Sequence, residues 1–237
     1  MLELYLANIL NMNKANYQRL YSVMDDFIKV KVDEMRKYED RQRTILGNFL
    51  VKYFIAKKVN ANIEDIKLEE DEFGKKKIVN HVGYCFNISH SGEWVFIGIA
   101  ESEIGVDVEK IESLDFLNIA SYFSKEEKEY LTKLDSKVLE MEFFRIWTAK
   151  ESYIKYKGLG MVIPLESFSV PISENENFVK TLYEKESKEA FVTSSKINEE
   201  YYISVCGNSA MEQLELIYLD LKNEIGLSDY FSSMNDR

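Results

Sequence analysis

The chain predicts an α+β fold, and three observations carry that prediction. Hydrophobic residues make up 46% of the 237 positions and proline only 2, which is the composition of a packed protein rather than a disordered one. Strand-like alternation and long helix-periodic stretches both occur. Their gross order, a strand, a long helix and then strands, runs twice, over roughly 1–104 and 105–221, with no low-complexity linker between the passes. No residue-level repeat accompanies this order, so duplication is suggested by element order alone.

The elements follow from local pattern. The start through Ile9 alternates apolar and polar residues and reads as a strand. A long helix is expected over about 33–58, where Ile45, Leu46, Phe49, Leu50, Tyr53 and Phe54 keep the i, i+3, i+4 spacing, and Asn60 to Asn62 end it. A turn at Phe73-Gly74 leads to short strands near 84–88, 94–100 and 104–109, punctuated by Gly92 and Gly105. Ser124-Lys125-Glu126-Glu127 has the form of a capping box, so a helix should begin there. Another helix is expected over 137–157, stopping at Gly158-Leu159-Gly160. Strands follow near 166–172, 178–183, 189–193, 200–206 and 214–221, and 222–237 reads as a frayed polar end.

Bulk charge narrows the function. The net charge of −11, from 30 basic and 41 acidic side chains, argues against general nucleic-acid binding. No apolar run approaches the roughly twenty residues of a membrane span, and the start lacks a secretory signal pattern. Cys85 and Cys206 have no metal-type spacing and read as free thiols of a cytoplasmic protein. The charge is uneven, however. Residues 28–58 hold nine Lys or Arg against four acids, and a second basic run, Lys75-Lys76-Lys77, follows Gly74. Singly these lysines read as solvated helix faces; together they suggest that a small polyanion is held locally.

Two short segments carry chemistry. In Gly105-Val106-Asp107-Val108-Glu109 the two carboxylates are two apart in a strand-like run and share a face. In Trp147-Thr148-Ala149-Lys150-Glu151-Ser152-Tyr153-Ile154-Lys155, positions 147, 151 and 155 stack along one helix face. Three converging carboxylates and a lysine would suit a hard divalent cation and a phosphorylated ligand. Each part has a plainer reading: a half-exposed strand, a surface Glu151–Lys155 pair, Trp147 as core anchor, and Glu127 as the capping-box glutamate. His90, in Phe86-Asn87-Ile88-Ser89-His90-Ser91-Gly92, sits where a strand should give way to a turn. It could bond only the turn, or donate to phosphate together with Ser89.

These motifs, with Tyr38-Glu39-Asp40-Arg41-Gln42-Arg43-Thr44-Ile45-Leu46-Gly47 and the Phe73-Gly74-Lys75 turn, come in one order over nearly the whole chain. In them the chain resembles the 4′-phosphopantetheinyl transferases, specifically the long, monomeric Sfp-type branch. Two departures are Lys76, where the turn commonly has proline, and Ser152, where alanine is usual; neither falls on a position the family uses as a ligand.

The resemblance implies an α+β fold of two similar halves, 1–104 and 105–237, related by a pseudo-two-fold axis with the active site in the cleft between them. It implies a cytoplasmic monomer that moves phosphopantetheine from coenzyme A to a serine of a peptidyl or acyl carrier protein, releasing 3′,5′-ADP. Asp107, Glu109 and Glu151 would hold Mg²⁺, with Mn²⁺ an alternative, and Lys155 would meet the pyrophosphate. Lys31, Arg43, Thr44, Lys75, Ser89 and His90 would hold the nucleotide end of coenzyme A. Glu127 or Glu151 would take the serine proton; a metal-bound Glu151 would be a poor base, which favours Glu127. The apolar residues Phe116, Leu117, Ile119, Tyr122 and Phe123 are either core or part of the surface that receives the carrier. A non-catalytic coenzyme A or carrier-binding module would need a damaged carboxylate set, and this one is intact. Many phosphohydrolases carry more Asp and His ligands, whereas the only histidines here are His81 and His90.

Overall fold

The computed structural model describes residues 1–81, 83–172, 178–181 and 190–221. Strand β1 (Leu2–Asn8) leads into helices α1 (Lys14–Ser22), α2 (Asp26–Glu34) and α3 (Tyr38–Val59). The short strands β2 (Leu68–Glu70) and β3 (Lys76–Ile78) precede β4 (Cys85–Ser91), β5 (Trp94–Ala100) and β6 (Gly105–Lys110). Helices α4 (Phe116–Ala120), α5 (Lys125–Leu131) and α6 (Ser136–Lys157) follow, then β7 (Phe168–Ser169), β8 (Lys180–Thr181), β9 (Phe191–Asn198), β10 (Tyr201–Gly207) and β11 (Leu216–Leu219).

The duplication suggested by element order is visible in the topology. In the first half β5 lies between β1 and β4, antiparallel to both. In the second, β10 lies between β6 and β9, again antiparallel to both. Each half is therefore a strand, a 22-residue helix and a hairpin whose last strand inserts in the middle. β11 adds a parallel strand to the outer edge of β1. The fold is the expected α+β architecture of two similar halves.

Three apolar clusters hold it. α3 packs on one face of the first sheet through Ile45, Phe49 and Leu50, and α6 packs in the second half through Phe143, Ile146 and Tyr153. A third cluster lies between the sheets, where Leu4, Leu6 and Phe96 meet Val106, Val108 and Ile203. β1 thus has a core on each face, so its four central residues are all buried rather than alternating.

Several boundaries differ from the sequence expectation. The helix predicted over about 33–58 is two helices; residues 33 and 34 end α2, and α3 starts at Tyr38. The Arg41 guanidinium donates to the carbonyls of Asp33 and Met35, satisfying the C-terminal end of α2 and making the break tolerable. β4 continues through His90 to Ser91, so His90 is a strand residue. The charged strands β2 and β3 had no apolar pattern to reveal them; Asp71 accepts from the backbone N–H of Phe73 and Lys75 and closes their turn. The capping box is present, with Ser124 and Glu127 each bonding the other's backbone. Gly158 ends α6 in the left-handed region at φ +70°, as its residue type allows. The expected strand near 178–183 is seen only as β8, and 222–237 lies outside the described residues.

Candidate active site

The two halves meet along β4 and β6, and side chains make the join. Asn87, Ser89 and Ser91 alternate along β4 and all face β6. The Asn87 side-chain oxygen accepts from the Val106 N–H at 3.0 Å. Ser89 donates to Asp107 Oδ1 at 2.8 Å, and Ser91 donates to Glu109 Oε2 at 2.8 Å while accepting from the Lys110 N–H. A seam of short polar side chains thus presents two carboxylates of β6 to the space beside α6.

Gly105 lets α6 reach that space. A β-carbon there would stand 2.0 Å from the Ser152 carbonyl oxygen and 2.3 Å from the Tyr156 nitrogen. The helix backbone lies directly on the start of β6, and only glycine leaves room for it. This contact sets Lys155 against Asp107: its ammonium is 2.7 Å from Oδ1 and 2.8 Å from the Ser89 hydroxyl. The Trp147 indole N–H bonds Glu109, so this expected core anchor also serves the site.

The carboxylates are under electrostatic strain. Asp107 is buried, and its Oδ2 has no hydrogen-bond partner among the described residues. Burial raises its pKa, with Lys155 and Ser89 opposing. Burial and then the charge of Asp107 push Glu109 up to about 7. Glu151 is raised for the same two reasons, opposed by Lys155. Asp107 hinders the ionisation of both Glu109 and Glu151, and a carboxylate set of this kind gains from an added cation. Among the described residues no three His, Cys, Asp or Glu groups form a ready-made metal site. The orphaned Oδ2 of Asp107 and this all-oxygen donor set nevertheless suit a hard cation such as Mg²⁺.

His90 stands at the rim of this cluster with its ring edge open to solvent, and the flanking protein with the charges of Arg43 and Lys155 lowers its pKa. It is therefore a neutral donor at pH 7. Arg43 is held by Asp40 and the Gly92 carbonyl. Beside the cluster lies a cavity of about 130 Å³ lined by Lys31, Gly74, Lys75, Lys76 and residues 86–88 of β4. Lys31 pairs with Glu70 at 3.2 Å, and Lys75 pairs with Glu103 and bonds the Tyr156 carbonyl.

Glu127 and Thr44, two of the expected site residues, are buried. Glu127 is wholly buried, and both its oxygens are engaged: Lys150 donates to each at 2.9 and 2.7 Å, and the N–H groups of Ser124 and Val170 add bonds. Lys150 and Glu151 are successive on α6 and point about 100° apart, so Glu127 sits under the helix in a buried ion pair with Lys150. Thr44 is buried, with its hydroxyl on the Met35 sulfur at 3.6 Å, so it supports the site without lining it. Ser91, Asn87 and Lys76 escaped sequence reasoning. The polar alternation at 87, 89 and 91 was the signal for the first two.

The apolar segment before α5 divides. Phe123 is core, stacked on Phe143 and Trp147, and Phe116 packs against Phe143 and Phe144. Leu114, Leu117 and Tyr122 are exposed. Leu114 lines a cavity of about 180 Å³ whose wall also includes Glu109, Ile119 and Trp147.

Fold and site together describe a two-half enzyme that presents carboxylates and a lysine at the seam. Residues 103–206 match the family model described as the 4′-phosphopantetheinyl transferase superfamily, and residues 11–102 match that of the 4′-phosphopantetheinyl transferase N-terminal region. The chain is 32% identical over 195 residues to the 4′-phosphopantetheinyl transferase ffp of Bacillus subtilis, covering 82% of this chain and 87% of that one. It is 30% identical to the transferase Sfp of Bacillus subtilis strain 168 with the same coverage. To the transferase gsp of Aneurinibacillus migulanus it is 31% identical, covering 84% of this chain and 83% of the other. The chain belongs to the 4′-phosphopantetheinyl transferase family, in its Sfp-type branch, and is an enzyme of that class.

Proposed function

We propose that the protein transfers the 4′-phosphopantetheine group of coenzyme A to a serine hydroxyl of an apo carrier protein, peptidyl or acyl, with Mg²⁺ bound, and releases 3′,5′-ADP. The observation that carries this reading is the Asp107 carboxylate, with one oxygen on Lys155 and the other buried without a partner among the described residues, in a seam shared with Glu109 and Glu151.

Asp107, Glu109 and Glu151 would hold Mg²⁺, or Mn²⁺ in its place; the ion supplies neutralising charge for the pyrophosphate oxygens. In the reaction the serine oxygen bonds the β-phosphorus of coenzyme A as the bond from that phosphorus to the bridging oxygen breaks. The electron pair and the bridging oxygen leave with 3′,5′-ADP. Lys155 stands where it can stabilise that developing charge. Glu127 has both its oxygens on Lys150, which leaves Glu151, on the same helix as Lys155, to take the serine proton. Lys31, Lys75, Arg43, Ser89 and neutral His90 hold the nucleotide end. In this reading the half spanning 1–104 supplies most of the nucleotide clamp, the half spanning 105–237 supplies the carboxylates, and the site is the cleft on their pseudo-two-fold.

The carrier docks on the exposed apolar residues Leu114, Leu117 and Tyr122 beside Glu109. A net charge of −11 gives an acidic carrier no long-range attraction, so apolar contact carries recognition. The protein acts as a cytoplasmic monomer; no helix among the described residues is long and apolar enough to cross a membrane. Chromatography of reaction mixtures tests the activity. Release of 3′,5′-ADP only when coenzyme A and an apo carrier are both present supports transfer. Release without a carrier would mean a hydrolase, and coenzyme A binding with no release from any carrier would mean a binding module.

A further inference from the structure

Three lysines line the cavity beside the seam, and they are not equivalent. Lys31 has Glu70 as its ion-pair partner, and Lys75 has Glu103. Lys76 has neither: its ammonium donates to the neutral side-chain oxygen of Asn48 at 3.0 Å, and among the described residues no carboxylate lies within ion-pair distance of it. Asn48 is itself buried and fixed, its amide donating to the Thr44 carbonyl at 2.6 Å, so it holds the lysine in place but cannot neutralise it. Even a half-buried cation without a counter-charge is costly. The strain is visible as a pKa lowered to about 8, first by desolvation and then by the neighbouring Lys31, with Glu70 only partly offsetting.

We infer that Lys76 is a ligand-binding and specificity-determining residue whose missing counter-ion is the 3′-phosphomonoester of the nucleotide substrate. This rests on the coenzyme A reading above and adds to it a residue outside the family's usual pattern, where proline is common. The geometry favours a phosphate well separated from the pyrophosphate. Residues 86–88, which line the cavity, immediately precede Ser89 on β4, and Ser89 already bonds Asp107 and Lys155. One strand therefore spans both anion positions. A dianionic monoester held by Lys31, Lys75 and Lys76 would make charge-assisted bonds that a ligand lacking the 3′-phosphate cannot make.

Titration calorimetry of the full chain with 3′,5′-ADP and with 5′-AMP tests this without using catalysis. Lys76→Gln should weaken 3′,5′-ADP about tenfold, equivalent to about 1.4 kcal/mol, and leave 5′-AMP within twofold. Lys76→Arg should recover most of the loss. Equal effects on both nucleotides, or none on either, would overturn the inference and leave Lys76 a structural partner of Asn48; a lower melting temperature with unchanged affinities would say the same. If the wild-type chain binds neither nucleotide, both the inference and the nucleotide clamp fail. If it binds 3′,5′-ADP as predicted but modifies no carrier, the inference stands and only the transferase reading fails.

Discussion

The Lys155 ammonium lies 2.7 Å from Oδ1 of Asp107, while Oδ2 of the same carboxylate is buried without a partner among the described residues. One oxygen of this carboxylate is thus paired with a cation of the protein, and the other is not. Replacing Lys155 by Met should leave Asp107 buried and uncompensated. Breaking a buried pair costs about 3–5 kcal/mol, and the loss here should fall below that because the Lys155 side chain is 27% exposed. Melting curves should show the deficit without divalent ions and partial recovery with Mg²⁺. The turnover number should drop about 10²–10³-fold, as when a transition-state donor is removed.

Glu109 gives a pH signature. Its pKa rises from 4.5 to about 7 in the folded, metal-free protein. The native state then binds a proton more tightly than the unfolded one, so stability falls as pH rises from about 4.5 to about 7 and levels off above. Glu109→Gln removes this penalty. Without metal the variant should match the wild type near pH 4.5 and exceed it at pH 8 by an amount of the order of 3 kcal/mol at most. Calorimetry should show the wild type binding Mg²⁺ more tightly as pH rises through about 7. A pH-independent melting difference would remove Glu109 from the coupled cluster.

Gly105 tests how α6 is placed. A methyl group there would meet the Ser152 carbonyl oxygen and the Tyr156 backbone, neither of which can rotate away. Gly105→Ala should destabilise by about 2–3 kcal/mol or more and abolish transfer, because α6 carries both Glu151 and Lys155. Wild-type melting and turnover in Gly105→Ala would contradict the close approach.

The Glu127–Lys150 pair distinguishes structure from catalysis. Glu127→Ala leaves Lys150 buried beside Phe168 without its partner, at a cost of about 3–5 kcal/mol. The double replacement Glu127→Leu with Lys150→Met should restore much of that stability. Its turnover with a carrier should stay within about tenfold of wild type, whereas loss of a general base costs about 10²–10⁴-fold. A stable double variant with a loss in that upper range would return the base role to Glu127.

How much of this was legible in the sequence depended on whether the signal was local. The shared face of Asp107 and Glu109 and the stacking of Trp147, Glu151 and Lys155 are fixed by strand and helix periods, and the structure keeps both. The capping box was equally local and is present, whereas the base role for Glu127 came from the resemblance alone. Its partner Lys150 lies 23 positions away and met it only through folding. The break between α2 and α3 was hidden because Arg41 satisfies the carbonyls of Asp33 and Met35, a side-chain bond that no periodicity records. Lys76 read as one lysine in a charged run. Its lack of a carboxylate partner is a property of the assembled cavity, where Glu70 and Glu103 serve its neighbours.

The most direct test of the central claim is intact-mass spectrometry of an apo peptidyl carrier protein incubated with the protein, coenzyme A and Mg²⁺, alongside Asp107→Ala and Glu151→Ala. The carrier should gain one phosphopantetheine mass, and EDTA or either substitution should abolish the gain. An unmodified carrier across several peptidyl and acyl types, or a gain that survives EDTA and both substitutions, would contradict the carboxylate seam as the site of transfer.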